Sequence, residues 1–101
     1  MARLDVYAMP GRGGVGYVVD VQAELLSALA TRTVVPLLPL ANAPAPIKEL
    51  NPVFDIDAGP HVMLTQSIAT VPVRELRARV ASLTHEQDAV TRALDILLHG
   101  F

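Results

Sequence analysis

Leu83-Thr84-His85-Glu86-Gln87-Asp88-Ala89-Val90-Thr91-Arg92-Ala93-Leu94-Asp95-Ile96-Leu97-Leu98-His99-Gly100 decides how the rest of the chain is read. Val90, Ala93, Leu94 and Leu97 recur at the spacing of one helix face, with Asp88, Arg92, Asp95 and His99 on another. Thr84 followed three residues later by Gln87 predicts a capping box, and Glu86 complements the dipole at that end. Gly100 stands where a glycine stops a helix. The pattern predicts one terminal helix of about four turns. Nothing upstream is long and periodic enough to match it.

Working outward, the upstream chain alternates. Leu4, Val6 and Ala8 interleave with Arg3, Asp5 and Tyr7, which predicts a half-buried strand. Val15, Tyr17, Val19 and Val21 form one face of a second strand, with Val18, Asp20 and Gln22 on the other. Pro10-Gly11-Arg12-Gly13-Gly14 lies between them, and the whole reads as a hairpin. Residues 23–30 hold helix formers but suffice only for a surface turn or a helix of one to two turns. Thr33-Val34-Val35 is β-branched but is followed by Pro36 and Pro39, which predicts an edge strand or a strand end. Residues 41–46 (Ala-Asn-Ala-Pro-Ala-Pro) read as an extended surface loop. Val53–Ile56 and Val62–Thr65 flank Asp57-Ala58-Gly59-Pro60-His61 as a second hairpin. Ser67–Val73 gives another short extended piece, and residues 74–81 have a helical composition. Short strands followed by one helix predict an α+β, mainly β domain, a small barrel-like sheet with the helix against it.

Composition narrows the function. The chain has 101 residues, 51% of them hydrophobic, which suits one domain over 1–101 and argues against disorder. Eight basic residues against ten acidic give no surplus for phosphate, so direct nucleic-acid binding is not expected. The absence of cysteine removes disulfides and thiolate metal sites and suits a reducing cytoplasm. No apolar run approaches a membrane span, and Asp5 interrupts any signal-peptide pattern.

No catalytic constellation stands out. The glycine-rich loop at 10–14 lacks a phosphate-loop pattern and precedes a strand, so it reads as a hairpin loop or a partner-binding loop. His61, His85 and His99 lack metal-ligand spacing, so neither metal nor cofactor is expected. Asp95 and His99 sit four apart and can pair near the helix end. Arg12, Asp20 and His61 make an imaginable set for phosphodiester cleavage. The terminal Leu98 lies off the buried stripe, and Phe101 lies beyond the glycine cap. Such a tail either packs locally or anchors a partner.

Several stretches together resemble one family. They are Val19-Asp20-Val21-Gln22, Val34-Val35-Pro36-Leu37, Glu49-Leu50-Asn51-Pro52-Val53, Ser67-Ile68-Ala69-Thr70-Val71-Pro72-Val73 and Leu83-Thr84-His85-Glu86. In this order and spacing the chain resembles the CcdB toxins of bacterial type II toxin–antitoxin modules. The resemblance implies an SH3-like antiparallel barrel with a small extra sheet and a C-terminal helix, assembled as a homodimer. It also implies binding to the DNA gyrase A subunit, trapping of the cleaved-DNA complex, and neutralisation by a cognate CcdA-like antitoxin. None of this requires catalysis by the chain. The family's gyrase contact centres on a C-terminal Trp-Gly-Ile, which falls on His99, Gly100 and Phe101. Further contacts fall on Leu25, Leu26, Asp95 and Leu98. Only the glycine of the triplet is retained; an imidazole still stacks on a guanidinium, and Asp95 can attract that arginine. Antitoxin contacts are expected at Gly11, Arg12, Gly13, Asn42 and Pro44. Two alternatives stand beside this reading. One is an endoribonuclease of the MazF/Kid type, whose fold is related; the other is a member that binds antitoxin without poisoning gyrase.

Overall fold

Strand β1 (Asp5–Ala8) pairs antiparallel with β2 (Tyr17–Asp20), with Val6 opposite Val19 and Tyr7 opposite Val18. The computed structural model describes residues 2–9, 16–57 and 59–100. The expected hairpin is therefore present, while its glycine-rich loop lies outside the described residues. Its exposure differs from the expectation. Asp5 and Tyr7 are buried as well as Leu4 and Val6, and Val18, Asp20 and Gln22 as well as Val19 and Val21. Both faces are covered: one by the main core, the other by a small cluster in which Tyr7, Val18 and Val34 pack with Leu76.

The proline-interrupted run is not an edge, although it ends at its second proline, Pro39. It forms β3 (Thr31–Pro39), the longest strand, which pairs along one side with β2. Its other side pairs first with β6 (Ala69–Pro72) over residues 31–34, then with β5 (Gly59–Met63) over residues 37–39. Pro36 falls where that neighbour changes. Its carbonyl accepts the Leu64 N–H at 2.9 Å on that side. The N–H that proline lacks would point the same way, into the gap between β6 and β5, where no ladder partner awaits it. A proline is tolerated mid-sheet for that reason.

Strand β4 (Val53–Ile56) completes the expected second hairpin with β5. The turn is tighter than the sequence suggests. Ile56 already faces Gly59, and Asp57 adopts φ 50°, the left-handed conformation that short hairpin turns require. Ser67–Val73 contains β6, as expected. Residues 74–81 are not helical. After a 3₁₀ turn at Val73–Glu75 they run into β7 (Arg79–Ser82), which closes the outer edge of β1. Leu76 is buried in the small cluster, so tertiary pairing overrides a helical composition here.

All pairings are antiparallel, in the order β4-β5-β3-β2-β1-β7 with β6 beside β3. The result is a curled half-barrel, with the extra strands joined to it through β3. Helix α1 (Gln87–His99) packs Val90 and Ala93, both fully buried, on the core face beside Leu83. Leu94 and Leu97 on the same stripe are half-buried. The capping box does not form. A 3₁₀ turn at Thr84–Glu86 precedes the helix, and the Thr84 hydroxyl shares a 2.7 Å hydrogen bond with the Ser82 hydroxyl instead. The glycine stop is as expected: Gly100 has φ 85°, and its N–H reaches the Asp95 and Ile96 carbonyls. The fold is α+β and mainly β, as the sequence indicates.

Candidate partner-binding surface

The connection between β2 and β3 displays apolar side chains to solvent. Residues 23–30 are all exposed, and Leu25, Leu26 and Leu29 are 91%, 45% and 51% exposed. Leu25 and Leu26 sit on a 3₁₀ turn at Glu24–Leu26, the short turn the sequence suggests. Three exposed leucines on one short connection have a solvation cost that a covering partner removes.

A buried polar network holds this turn. Asp20 and Arg32, on neighbouring strands, are 0% and 1% exposed. Arg32 Nε donates to Asp20 Oδ2 at 2.8 Å. Arg32 Nη2 stands 2.5 Å from the same oxygen but out of line for a hydrogen bond, so that contact is Coulombic. Asp20 Oδ1 accepts the Gln22 N–H at 3.0 Å. The Gln22 side chain then spans the base of the connection. Its Nε2 donates to the Leu26 carbonyl at 3.0 Å and the Thr31 carbonyl at 3.2 Å, and its Oε1 accepts the Thr33 N–H at 3.0 Å. At the front of the turn, a Glu24 carboxylate oxygen accepts the Arg3 N–H. Sequence reading placed Asp20 and Gln22 with Val18 on the second face of the strand and missed this role. The available signal was two polar residues sharing a strand face with Val18.

The second displayed element is the end of α1. Asp95, Leu98, His99 and Gly100 are all exposed, with Leu98 at 66%. Phe101 lies outside the described residues. These groups and the leucine turn are carried by separate elements, and the turns that α1 mainly packs on are Thr65–Ser67 and Thr84–Glu86. Of the residues expected to meet an antitoxin, Asn42 and Pro44 are exposed. Gly11, Arg12 and Gly13 lie outside the described residues. The loop after Pro44 is anchored: Asn51 exchanges hydrogen bonds with Ile47 and donates to the Met63 carbonyl, and Arg92 of α1 pairs with Glu49.

The cleavage set does not assemble from Asp20 and His61. Asp20 is committed to Arg32, whereas His61 belongs to β5 and meets Tyr17 edge-on, with ring centroids 5.1 Å apart. The Gly59 carbonyl lies 2.8 Å from His61 Nδ1; a carbonyl only accepts, so Nδ1 carries the proton. Tyr17 and His61 line an open hollow of about 280 Å³ with Pro39, Leu40 and Pro60. Among the described residues no three His, Asp or Glu side chains gather as metal ligands.

Titration shifts cluster on the sheet face opposite the main core. Burial works against the Asp5 carboxylate, but the Arg79 hydrogen bond at 2.9 Å and the Ala2 N–H at 3.0 Å outweigh it. Its pKa falls below the ordinary value as a result. Burial, reinforced by the Asp5 and Asp20 carboxylates, pushes the Tyr7 phenol up.

The class of fold is shared with small bacterial toxins. The chain is similar to Mycobacterium tuberculosis toxin MazF-mt6 (TM-score 0.74, 16% identity, covering 92% of this chain and 94% of that one). It is also similar to an endoribonuclease in complex with its cognate antitoxin from a mycobacterial species (TM-score 0.77, 17% identity, 97% and 94% covered). A third similar structure is that of an Mtb toxin (TM-score 0.69, 18% identity, 90% and 99% covered). At these identities the likeness concerns the fold alone. The CcdB protein family model matches residues 3–100, so the chain belongs to the CcdB family. That membership fits a toxin of a toxin–antitoxin module. No helix among the described residues is long and apolar enough to cross a membrane.

Proposed function

We propose that this chain is a toxin that inhibits DNA gyrase by binding its A subunit and trapping the cleaved-DNA complex, and that a cognate antitoxin neutralises it. The observation that carries the reading is the display of Leu25, Leu26 and Leu98 to solvent, in a family member whose buried Asp5 and Asp20 carboxylates are taken up by Arg79 and Arg32. The gyrase-binding surface is the leucine turn together with Asp95, Leu98, His99, Gly100 and Phe101. The antitoxin covers Asn42, Pro44 and the Gly11-Arg12-Gly13 loop. The toxin acts by binding rather than by catalysis, in the cytoplasm, and as a homodimer.

The endoribonuclease reading is favoured by the similar structure that carries that activity in its name. Against it stands the separation of Asp20 from His61. Expression in a sensitive host separates the two: cleaved DNA on detergent lysis supports gyrase poisoning, and fragmented messages with intact DNA overturn it. Residue 99 gives the finer test. Replacing His99 with Trp adds apolar area and stacking worth about 1–2 kcal/mol, on the order of tenfold tighter binding to a gyrase A fragment. Deleting residues 99–101 abolishes that binding and leaves the fold intact. Unchanged affinity on truncation, measured by calorimetry, refutes the C-terminal anchor.

A further inference from the structure

Solvent exposes Leu25 almost completely, yet the turn that carries it is tied at both ends. An apolar turn held open to water needs restraint, because collapse onto the sheet would bury the leucines. The Gln22 side chain supplies three hydrogen bonds from a buried position and uses both ends of its amide to do so. Its backbone is fixed in turn by Asp20, which Arg32 fixes. The chain of contacts runs from a fully buried ion pair to the turn that carries Leu25, the most exposed large apolar side chain among the described residues.

We infer that Gln22 is a positioning residue for partner recognition: it holds the Leu25–Leu26 turn in its displayed conformation before a partner arrives. This rests on the gyrase reading for the identity of the partner. Its physical content is preorganisation, since a turn already ordered loses less freedom on binding. The amide is needed as an amide. A carboxylate at the same place still accepts from Thr33 but cannot donate, and it faces the Leu26 and Thr31 carbonyls with negative charge.

Two variants test this against the parent, Gln22→Leu and Gln22→Glu, each titrated with a gyrase A-subunit fragment and followed by amide hydrogen exchange. In both variants at neutral pH, the Leu26, Ser27 and Leu29 amides exchange about tenfold faster, the β1–β2 ladder amides keep the parent's rate, and affinity falls about tenfold. On acidification the Gln22→Glu turn recovers protection relative to the parent, because the protonated carboxyl regains a donor; Gln22→Leu does not recover. Turn amides that keep the parent's rate overturn the inference, as does a loosened turn with unchanged affinity. Ladder and turn exchange rising together, or loss of fold in both variants, also overturns it, because the role is then one of stability alone. A parent that fails to bind refutes the gyrase reading itself and takes this inference with it, before any variant is compared.

Discussion

Replacing Arg32 with Met removes the guanidinium from Asp20 while keeping an unbranched apolar stem in its place. Asp20 is then a fully buried carboxylate left with a single donor, the Gln22 N–H at 3.0 Å. Breaking a buried pair from one side costs about 3–5 kcal/mol, since the surviving charge keeps its desolvation penalty without its partner. A domain of this size holds about 5–15 kcal/mol in all. At about 4–8 °C per kcal/mol, the melting temperature falls by roughly 12–40 °C. Replacing Asp20 with Val in the same chain restores most of the loss, because neither charge is then buried; about 1 kcal/mol stays lost at the unpaired Gln22 N–H. Urea unfolding of the parent, the single and the double variant at one protein concentration gives the three values. A single variant that loses under about 1 kcal/mol, or a double variant as unstable as the single, refutes the assignment of a buried charge pair.

Asp5 titrates below its ordinary range, so its contribution to stability is present above the unfolded-state value and is lost as the pH falls through the lower folded value. Replacing Arg79 with Met moves the Asp5 titration upward, followed by the carboxyl carbon shift in NMR; an unmoved titration refutes the pairing. Tyr7 shows the opposite sign. Its phenol pKa is raised, so stability is intact below the unfolded-state value near 10 and declines as the pH climbs toward the folded value. Ultraviolet titration in a Tyr17→Phe background reports Tyr7 alone, and ionisation at or below 10 refutes its burial. The proposed homodimer is checked by sedimentation at micromolar concentration, where a mass of 10.8 kDa with no concentration dependence refutes it.

What could be read from the sequence depended on whether local pattern or distant pairing set the structure. Helix α1 was legible because its stripe and its glycine stop are local, and both hairpins because their strands are neighbours in sequence. β3 ends at Pro39 as one half of the reading had it, but the edge alternative failed, because the tolerance for Pro36 depends on where β6 and β5 meet, some 25 residues away or more, and no local rule carries that. Residues 74–81 were misread for the same reason: β7 exists because β1 offers it an edge. The capping box failed because Ser82, just upstream, competes for the Thr84 hydroxyl. In the candidate site, Leu25 and Leu26 came from the family resemblance. The network beneath them escaped, since alternation marks Asp20 and Gln22 as surface groups until the second face is known to be covered.

The pairing of β1 with β7 also governs how the chain reaches its structure. Asp5 and Arg79, joined across that edge, are 74 residues apart. Closing so long a loop comes before its contacts give any return, and it places the domain among slow, non-local folders. The edge of β1 stays open, and Leu83 with Val90 and Ala93 is missing from the core, until residues 79–93 have left the ribosome. A truncated or nascent chain therefore presents its leucine turn on an unfinished sheet. The displayed turn rests on a finished sheet only once β7 and α1 have been made, which leaves their synthesis as a delay before the folded chain can act.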